Sequence, residues 1–256
     1  MDYQSTYFQR IANRLALVCL LLAAGSLAAQ PAEVADPVAL ATTPAPLTES
    51  WAIEWWMPRH REKLAAREPG VDLVLIGNSI THGWENEGRE VWQRHFADID
   101  TLNLGFSGDR TENVLWRLQH GEVDGLDPKL VVVMIGTNNT GHRMDPPAAI
   151  AAGVRAILTE LRARLPDSHV LLLAIFPRGA TVDDPQRANN RAANVLLADI
   201  AAETGVEFAD FNAAFLQDDG RLSQSIMPDL LHPAPAGYEL WAEQLRPWVD
   251  RYVVTP

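Results

Sequence analysis

The sequence predicts an α/β fold in which helices cover both faces of a parallel sheet. Short apolar runs bounded by Gly, Pro or Asp alternate along the chain with longer helix-like segments. Runs of this length fit strands that are buried on both faces of a parallel sheet. Regular alternation of such strands with helices, joined by right-handed crossovers, gives a doubly wound, three-layer α/β/α domain.

The predicted strands are five short apolar runs: Val71–Ile76, Thr101–Leu104, Leu130–Ile135, Val170–Ile175 and Val206–Ala209. Six helix-like segments lie around them: Trp51–Arg67, Arg89–His95, Arg110–His120, Pro147–Leu165, Pro185–Thr204 and Ala236–Tyr252. Asp109 precedes the third helix and Asp145-Pro-Pro opens the fourth. A side-chain oxygen or a proline suits the first turn of a helix, so both positions indicate helix starts.

Composition and charge restrict the class of protein. With 256 residues, 47% of them apolar and 21% charged, the chain is long enough for one domain with a sizeable core. Its formal net charge is −12, because 33 acidic residues exceed 21 basic ones. Binding to phosphate backbones needs clustered Lys and Arg, so no nucleic-acid partner is expected.

The first 29 residues have the layout of a secretory signal peptide. Arg10 and Arg14 precede the apolar run Leu15–Ala24, and small residues follow up to Ala29. A retained membrane anchor is the alternative, but the apolar stretch is shorter than the roughly 20 residues that span a bilayer. We therefore expect an exported protein, periplasmic or secreted, with no stable membrane insertion once residues 1–29 are removed. The only cysteine, Cys19, lies inside this segment, so the mature chain would contain no disulfide.

Residues 30–48 are rich in Ala, Pro and Thr and show neither a helical nor an alternating pattern. This composition predicts a flexible linker. The folded domain is accordingly predicted to comprise residues 49–256.

Polar residues follow the first three predicted strands directly. Asn78 and Ser79 follow the first strand, Gly108 and Asp109 the second, and Asn138 the third. In doubly wound sheets ligands bind at the carboxyl ends of the strands. The first apolar run stops at Gly-x-Ser, which would place the Ser79 hydroxyl at the end of a buried strand, where a nucleophile is accessible.

A serine is a poor nucleophile at neutral pH unless a base takes its proton and a third group orients that base. His232 is the preferred base. A turn between Asp229 and His232 would bring the carboxylate to one imidazole nitrogen while the other nitrogen faces Ser79. His82 is the rival base, because it lies three residues after Ser79, but its only acidic neighbour at short range is Glu85.

Attack on an ester creates an oxyanion, and donors that are already in place for it are each worth roughly 3–4 kcal/mol. The sequence offers three. The Ser79 N–H lies at a predicted helix N-terminus, which favours negative charge. The Gly108 N–H can approach closely because glycine has no Cβ. The Asn138 side-chain amide is the third donor.

Four ordered segments resemble the conserved blocks of the SGNH (GDSL-like) hydrolases: Gly-Asn-Ser79-Ile-Thr, Asn103-Leu-Gly-Phe-Ser-Gly108-Asp109, Gly136-Thr-Asn138-Asn139 and Asp229-Leu-Leu-His232. The resemblance covers about Trp51 to Tyr252. It is most evident toward the catalytic subunits of platelet-activating-factor acetylhydrolase, through Val114-Leu-Trp-Arg-Leu118 and Phe176-Pro-Arg-Gly179 as well.

This resemblance implies a flavodoxin-like five-stranded sheet with Ser79 as nucleophile, His232 as base and Asp229 as its orienting acid. It also implies an oxyanion hole made by Ser79, Gly108 and Asn138, and neither a metal nor an organic cofactor. Asn78 stands where the best-known motif has Asp. Asn keeps a side-chain acceptor but removes a negative charge beside the nucleophile, which affects the local hydrogen bonding and the pH optimum.

The expected function is a serine ester hydrolase that acts through an acyl-enzyme on short-chain esters, mainly acetyl esters. Export favours an O-acetylated carbohydrate as substrate. A lipid-ester hydrolase of the lysophospholipase or platelet-activating-factor acetylhydrolase kind is one alternative, and a non-catalytic glycan-binding module on the same fold is another. The sequence does not indicate the oligomeric state.

Two further expectations concern side chains near the predicted site. Trp84 is the tryptophan expected to line an acyl or sugar subsite, whereas Trp51, Trp55 and Trp56 are expected in the core. Arg178, just past the fourth strand, would bind an acidic group or cap the sheet edge.

Overall fold

The computed structural model describes residues 36–254. Its five strands are β1 (Leu73–Gly77), β2 (Thr101–Gly105), β3 (Leu130–Met134), β4 (His169–Leu173) and β5 (Glu207–Ala209). They form one parallel sheet in the order β2-β1-β3-β4-β5. This order is that of flavodoxin-like doubly wound sheets. The predicted fold class and sheet are therefore confirmed.

The helices are α1 (Pro37–Thr42), α2 (Trp56–Ala65), α3 (Ser79–His82), α4 (Arg89–Phe96), α5 (Thr111–Gln119), α6 (Thr137–Arg143), α7 (Pro147–Arg164), α8 (Pro185–Thr204), α9 (Asn212–Phe215) and α10 (Pro235–Val249). A 3-10 turn, Gly83–Glu85, follows α3, and a π-helical turn, Asp250–Val254, follows α10. All six long predicted helices are present. Of the four short ones, only the start of α3 at Ser79 was predicted. The helices α1, α6 and α9 were not predicted, because each is too short to show a helical period.

Alternate strand residues face two separate apolar layers. Val74 and Ile76 of β1 pack with apolar residues of α5, α7 and α8. Leu73 and Leu75 of the same strand pack on the opposite face with residues of α4 and α10. Because every residue of β1 is buried, both faces of the sheet are covered, as the continuous apolar run predicts.

The N-terminal boundary differs from the prediction. Residues 36–48, expected in a flexible linker, contain α1, whose first turn is capped by the Asp36 side chain and begins with a proline. Ala41 and Leu47 are buried, and the Thr111 hydroxyl donates a 2.9 Å hydrogen bond to the Ala41 carbonyl. The linker prediction is therefore wrong for residues 36–48, because contacts with distant residues order a segment whose own composition favours disorder. The predicted signal peptide, residues 1–29, and the linker up to residue 35 lie outside the described residues.

The start of the first long helix also differs. The predicted helix begins at Trp51, whereas α2 begins at Trp56 and residues 51–55 form turns. As a result Trp51 is not in the core: 51% of its surface is exposed, whereas Trp56 is fully buried. Trp55 lies between these extremes.

No helix within residues 36–254 is both long enough and apolar enough to cross a membrane. In the same range, His, Cys, Asp and Glu side chains form no group of three or more that could hold a metal ion.

Candidate active site

Ser79 is the first residue of α3, directly beyond the carboxyl end of β1. Gly77 ends the strand at a position without room for a side chain, because an added Cβ would lie 2.1 Å from the Thr81 hydroxyl and 2.7 Å from the Met134 carbonyl oxygen. Asn78 then caps α3: its Oδ1 accepts a 2.9 Å hydrogen bond from the Ile80 N–H. The side-chain oxygen of Asn78, which an Asp at this position would also have, thus caps the helix that begins with Ser79 and orients it.

The structure brings Ser79, His232 and Asp229 together, as the sequence predicts. Ser79 Oγ lies 2.8 Å from His232 Nε2, across 153 positions of sequence. His232 Nδ1 lies 2.6 Å from Asp229 Oδ2. The three groups therefore form a continuous hydrogen-bonded relay in which each member contacts the next, the arrangement that serine nucleophiles require.

The loop that carries Asp229 and His232 holds the two side chains in register. Asp229 Oδ1 accepts backbone N–H bonds from Leu231, at 3.0 Å, and from His232, at 2.7 Å. Leu230 adopts a left-handed backbone with φ 60°, and its carbonyl accepts a 2.9 Å hydrogen bond from the Gly179 N–H. A bulky residue in this conformation is strained and persists only when its surroundings enforce it. The loop is therefore fixed to the segment after β4.

Electrostatics favour an ionised Asp229. Partial burial acts to raise its pKa, but the hydrogen bonds from the His232 backbone and imidazole outweigh this effect and hold the pKa below the ordinary value. The side chains of His232 and Asp229 are 44% and 56% exposed. Both side chains of this pair are consequently accessible to solvent.

The three predicted oxyanion donors follow the neighbouring strands β1, β2 and β3 at the same edge of the sheet. Within residues 36–254, neither the Ser79 nor the Gly108 backbone N–H has a hydrogen-bond partner. The Asn138 side-chain amide donates one 3.0 Å bond to the Asp109 carbonyl, which leaves its second N–H to donate elsewhere. Gly108 has φ +82°, a backbone region that glycine adopts without strain. These groups are thus available as donors to a developing negative charge.

His82, the rival base, points away from this relay. Its Nδ1 lies 3.0 Å from the Ser107 hydroxyl, and its Nε2 lies 4.0 Å from Glu85. Burial, reinforced by the nearby Arg59 guanidinium, lowers the pKa of His82 to about 4. His82 is therefore neutral at physiological pH and supports the loop after β2.

Asp109 has a different structural role from the predicted one, which was to cap the third long helix. It does not cap α5, which begins at Thr111 after Arg110. Asp109 is fully buried: its Oδ2 accepts a 2.8 Å bond from Arg117 Nε and its Oδ1 a 2.6 Å bond from Trp56 Nε1. The loop that contains Gly108 is thereby anchored to both α2 and α5. Sequence reasoning missed this anchor, because a capping aspartate and a buried ion-paired one look the same beside a helix.

Trp84 lies elsewhere than expected, whereas Arg178 has one of its two expected roles, at the edge of the sheet. Trp84 is 3% exposed and packs among Trp92, Tyr238 and Trp241, so it does not line a subsite at the surface. The expectation for Trp84 was wrong because α10, far along the sequence, covers it. Arg178 donates a 2.9 Å bond to the Thr137 carbonyl, and thus ties the segment after β4 to the start of α6.

The sequence is similar to those of known proteins. The model of the GDSL-like Lipase/Acylhydrolase family matches residues 75–240. A platelet-activating factor acetylhydrolase IB subunit alpha1 of Bos taurus is 34% identical over 200 residues, which cover 77% of this chain and 84% of that protein.

Solved structures share the fold. One, assigned as an acylhydrolase of Bacteroides fragilis, superposes with a TM-score of 0.64 at 20% identity and covers 80% of this chain and 99% of its own. An acetylxylan esterase of Geobacillus stearothermophilus superposes with a TM-score of 0.55 at 22% identity, over 70% of this chain and 94% of its own. From the matched residues and the identity to its relatives, the chain belongs to the GDSL-like lipase/acylhydrolase family and is a carboxylic ester hydrolase.

Proposed function

We propose that Ser79 is the nucleophile of this hydrolase, with His232 as general base and Asp229 as the acid that orients it. The observation that carries the proposal is the 2.8 Å contact between Ser79 Oγ and His232 Nε2, backed by the 2.6 Å contact between His232 Nδ1 and Asp229. Proton transfer requires heavy atoms within about 2.6–3.2 Å, so both contacts are within reach.

The proposed reaction has two steps. Ser79 Oγ attacks the ester carbonyl carbon while His232 Nε2 takes the hydroxyl proton, and the same proton then passes to the departing alcohol oxygen. The resulting acyl-enzyme is hydrolysed by a water molecule that His232 deprotonates, which releases the carboxylic acid and restores Ser79. In both steps the carbonyl oxygen becomes an oxyanion, which would accept hydrogen bonds from the Ser79 N–H, the Gly108 N–H and the Asn138 amide.

We further propose that the acyl group is acetyl and that the alcohol is part of a carbohydrate. An acetyl group is named in both the platelet-activating factor acetylhydrolase relatives and the acetylxylan esterase of similar fold. The relay is open to solvent, since nearly half of the His232 side chain is exposed. A solvent-exposed relay suits an ester carried on a polymer or oligomer better than one that must be enclosed.

A lipid ester is the second candidate substrate. It is favoured by the 34% identity to a platelet-activating factor acetylhydrolase subunit. A release assay that compares acetylated xylan, acetylated sialic acid and a short-chain phospholipid separates the candidates, because only the true substrate class should be turned over with a low KM.

The catalytic roles are tested with p-nitrophenyl acetate on the wild type, on Ser79→Ala and on Ser107→Ala. Ser107 is part of the loop after β2 and its hydroxyl contacts His82 rather than His232, so it is a nearby serine control outside the relay. We expect Ser79→Ala to abolish turnover while Ser107→Ala keeps most of it. Equal, negligible rates in wild type and Ser79→Ala would contradict the proposal.

We also propose that the protein is exported after cleavage of residues 1–29. The support is the order of Arg10, Arg14 and the apolar run Leu15–Ala24 before small residues. N-terminal sequencing of the protein from the extracytoplasmic fraction should begin near Ala29 or Gln30. Recovery of the uncleaved chain from the membrane fraction would favour an anchor instead.

A further inference from the structure

Trp51 lies directly against the loop that carries a proposed oxyanion donor. An added Cβ on Gly108 would lie 2.1 Å from Trp51 Cη2 and 3.0 Å from its Cζ2 and Cζ3. The six-membered ring of the indole therefore occupies the space next to Gly108. Half of its surface remains exposed.

Trp55 extends this surface. Its indole stacks on that of Trp51 with ring centroids 6.3 Å apart and an interplanar angle of 30°, and its Nε1 donates a 3.2 Å bond to the Trp51 carbonyl. On its other side Trp55 lies 6.1 Å from the His82 ring, and His82 in turn contacts Ser107. We refer to Trp51 and Trp55 together as the tryptophan wall.

The wall is held rigidly on the domain. Glu49 accepts a 2.6 Å bond from Arg110. Ala52, between the two tryptophans in sequence, and Trp56, directly after them, are fully buried. His142 meets the Trp51 ring edge-on at 6.4 Å and shares the Arg110 guanidinium. A ligand would thus meet aromatic rings that are already in position, which reduces the entropy lost on binding.

An ester whose carbonyl oxygen accepts from the Gly108 N–H would lie close to this wall, because the Trp51 ring lies against Gly108. An acetyl group adds only one methyl group beyond the carbonyl carbon, so the larger alcohol part is the one that can cover two indoles. Flat aromatic rings with a negative face attract the partly positive C–H groups of a pyranose ring. The polar groups at the border of the wall, on Glu49, Ser107 and His142, can meet the sugar hydroxyls.

We propose that Trp51 and Trp55 form the subsite for the sugar ring that carries the acetyl ester. This inference rests on the proposed function and names the group that selects its substrate. In the orientation that follows for the bound ester, the alcohol part lies along residues 51–55 and the acetyl group is directed away from them.

The kinetic test compares Trp51→Ala, Trp51→Phe and the control Trp248→Ala on two substrates. One is an acetylated xylo-oligosaccharide and the other is ethyl acetate, whose alcohol part has no ring. For Trp51→Ala we expect KM for the carbohydrate ester to rise about tenfold more than KM for ethyl acetate, the size of one aromatic contact. Trp51→Phe should recover most of the difference, and Trp248→Ala, on α10, should leave both substrates as in the wild type.

Equal losses on both substrates would overturn the proposal, because they would mean that Trp51 only supports the Gly108 loop. A selective loss on a short-chain phospholipid would overturn it in favour of a lipid ester. A change from oligomer to monomer in Trp51→Ala, seen by sedimentation, would identify the wall as a subunit contact instead.

A binding test separates this inference from the proposed catalytic roles. Unacetylated xylo-oligosaccharide is titrated into Ser79→Ala while indole fluorescence is followed, and then into Ser79→Ala/Trp51→Ala. We expect saturable quenching in the first variant and about tenfold weaker binding in the second. This measurement needs no turnover, so it tests the sugar subsite even if Ser79 is not the nucleophile. Equal affinities in the two variants would overturn the proposed subsite.

Discussion

The carbonyl oxygen of Asp109 accepts a 3.0 Å hydrogen bond from the side-chain amide of Asn138. This bond joins the loop after β2 to the start of α6, and so fixes the orientation of Asn138 relative to Gly108. Asp109 is itself buried against Arg117 and Trp56. The proposed oxyanion donors are therefore placed by a hydrogen-bonded framework before any substrate arrives, the condition under which such donors are most effective.

Asn138→Ala should lower kcat strongly with a smaller effect on folding. Loss of one oxyanion donor costs about 10²–10³ in kcat. We expect a reduction of that size with p-nitrophenyl acetate, while KM changes little. Asn86→Ala, at an exposed position, serves as the control and should match the wild type. An unchanged kcat in Asn138→Ala would remove Asn138 from the oxyanion hole.

Asp229→Asn should reduce kcat by about 10⁴, as replacement of the orienting acid does in serine hydrolases with this relay. The amide is similar in size but has no charge to stabilise a protonated His232, and it can hold the imidazole in the wrong tautomer. Steady-state kinetics of Asp229→Asn and of Asp218→Asn, an exposed carboxylate, provide the comparison. A loss below about tenfold would show that His232 works without Asp229.

Gly108→Ala should impair both folding and activity, because its Cβ would enter the Trp51 ring and its φ of +82° disfavours a side chain. Backbone strain of this kind costs about 1–3 kcal/mol. Gly220→Ala is a matched control, since it has φ +78° but nothing within 4 Å of the added Cβ. In urea unfolding, Gly108→Ala should lose more stability than Gly220→Ala, and Trp51→Ala in the same chain should recover part of the excess. Equal losses in the two glycine variants would contradict the contact with Trp51.

Leu47→Ala should destabilise the domain by about 2–4 kcal/mol, the usual cost of emptying a buried leucine site. Leu47 is 3% exposed, although it lies in the segment whose composition favours disorder. Val38→Ala in the same segment, where 41% of the side chain is exposed, should cost far less. If both variants unfold at the wild-type urea concentration, residues 36–48 are not part of the domain.

His82 should make the protein less stable in mild acid. Because burial lowers the pKa of His82 from 6.5 to about 4, the unfolded chain binds a proton at this residue below pH 6.5 while the folded chain stays neutral until pH 4. Stability is thus lost as pH falls through this window, by about 2 kcal/mol at pH 4.5.

His82→Gln keeps a group that can bond to Ser107 but does not titrate. Between pH 7.5 and pH 4.5 its free energy of unfolding should therefore fall by about 2 kcal/mol less than that of the wild type. His169→Gln, at an exposed histidine, should follow the wild type. Identical pH dependence in His82→Gln and the wild type would show that His82 is not held neutral.

Much of this architecture is predictable from local sequence. The strands are continuous apolar runs, and parallel strands end at one edge of the sheet, so Ser79, Gly108 and Asn138 are expected to meet there. The Asp229 and His232 pair is also local, because three residues separate them. The loop of residues 227–234 brings this pair to Ser79. The family resemblance implies this contact, whereas the periodicity of the sequence alone does not show it.

The errors involve contacts between residues far apart in sequence. The Ala41 carbonyl accepts a hydrogen bond from Thr111, and Trp84 packs against Tyr238 and Trp241. No local sequence pattern at Ala41 or Trp84 indicates these partners. The expectation that Trp51 lies in the core assumes that the helix starts at Trp51, since only then do Trp51 and Trp55 share a helical face. Since α2 starts at Trp56, the side chain instead reaches the loop at Gly108.

Mass spectrometry after reaction with diethyl p-nitrophenyl phosphate shows whether the Ser79 hydroxyl forms the covalent intermediate. We expect one diethylphosphoryl group per chain, located on the peptide that contains Ser79, with loss of esterase activity in proportion to labelling. His232→Ala should label far more slowly. A stable label on another serine, or full inactivation with Ser79 unmodified, would show that Ser79 is not the nucleophile.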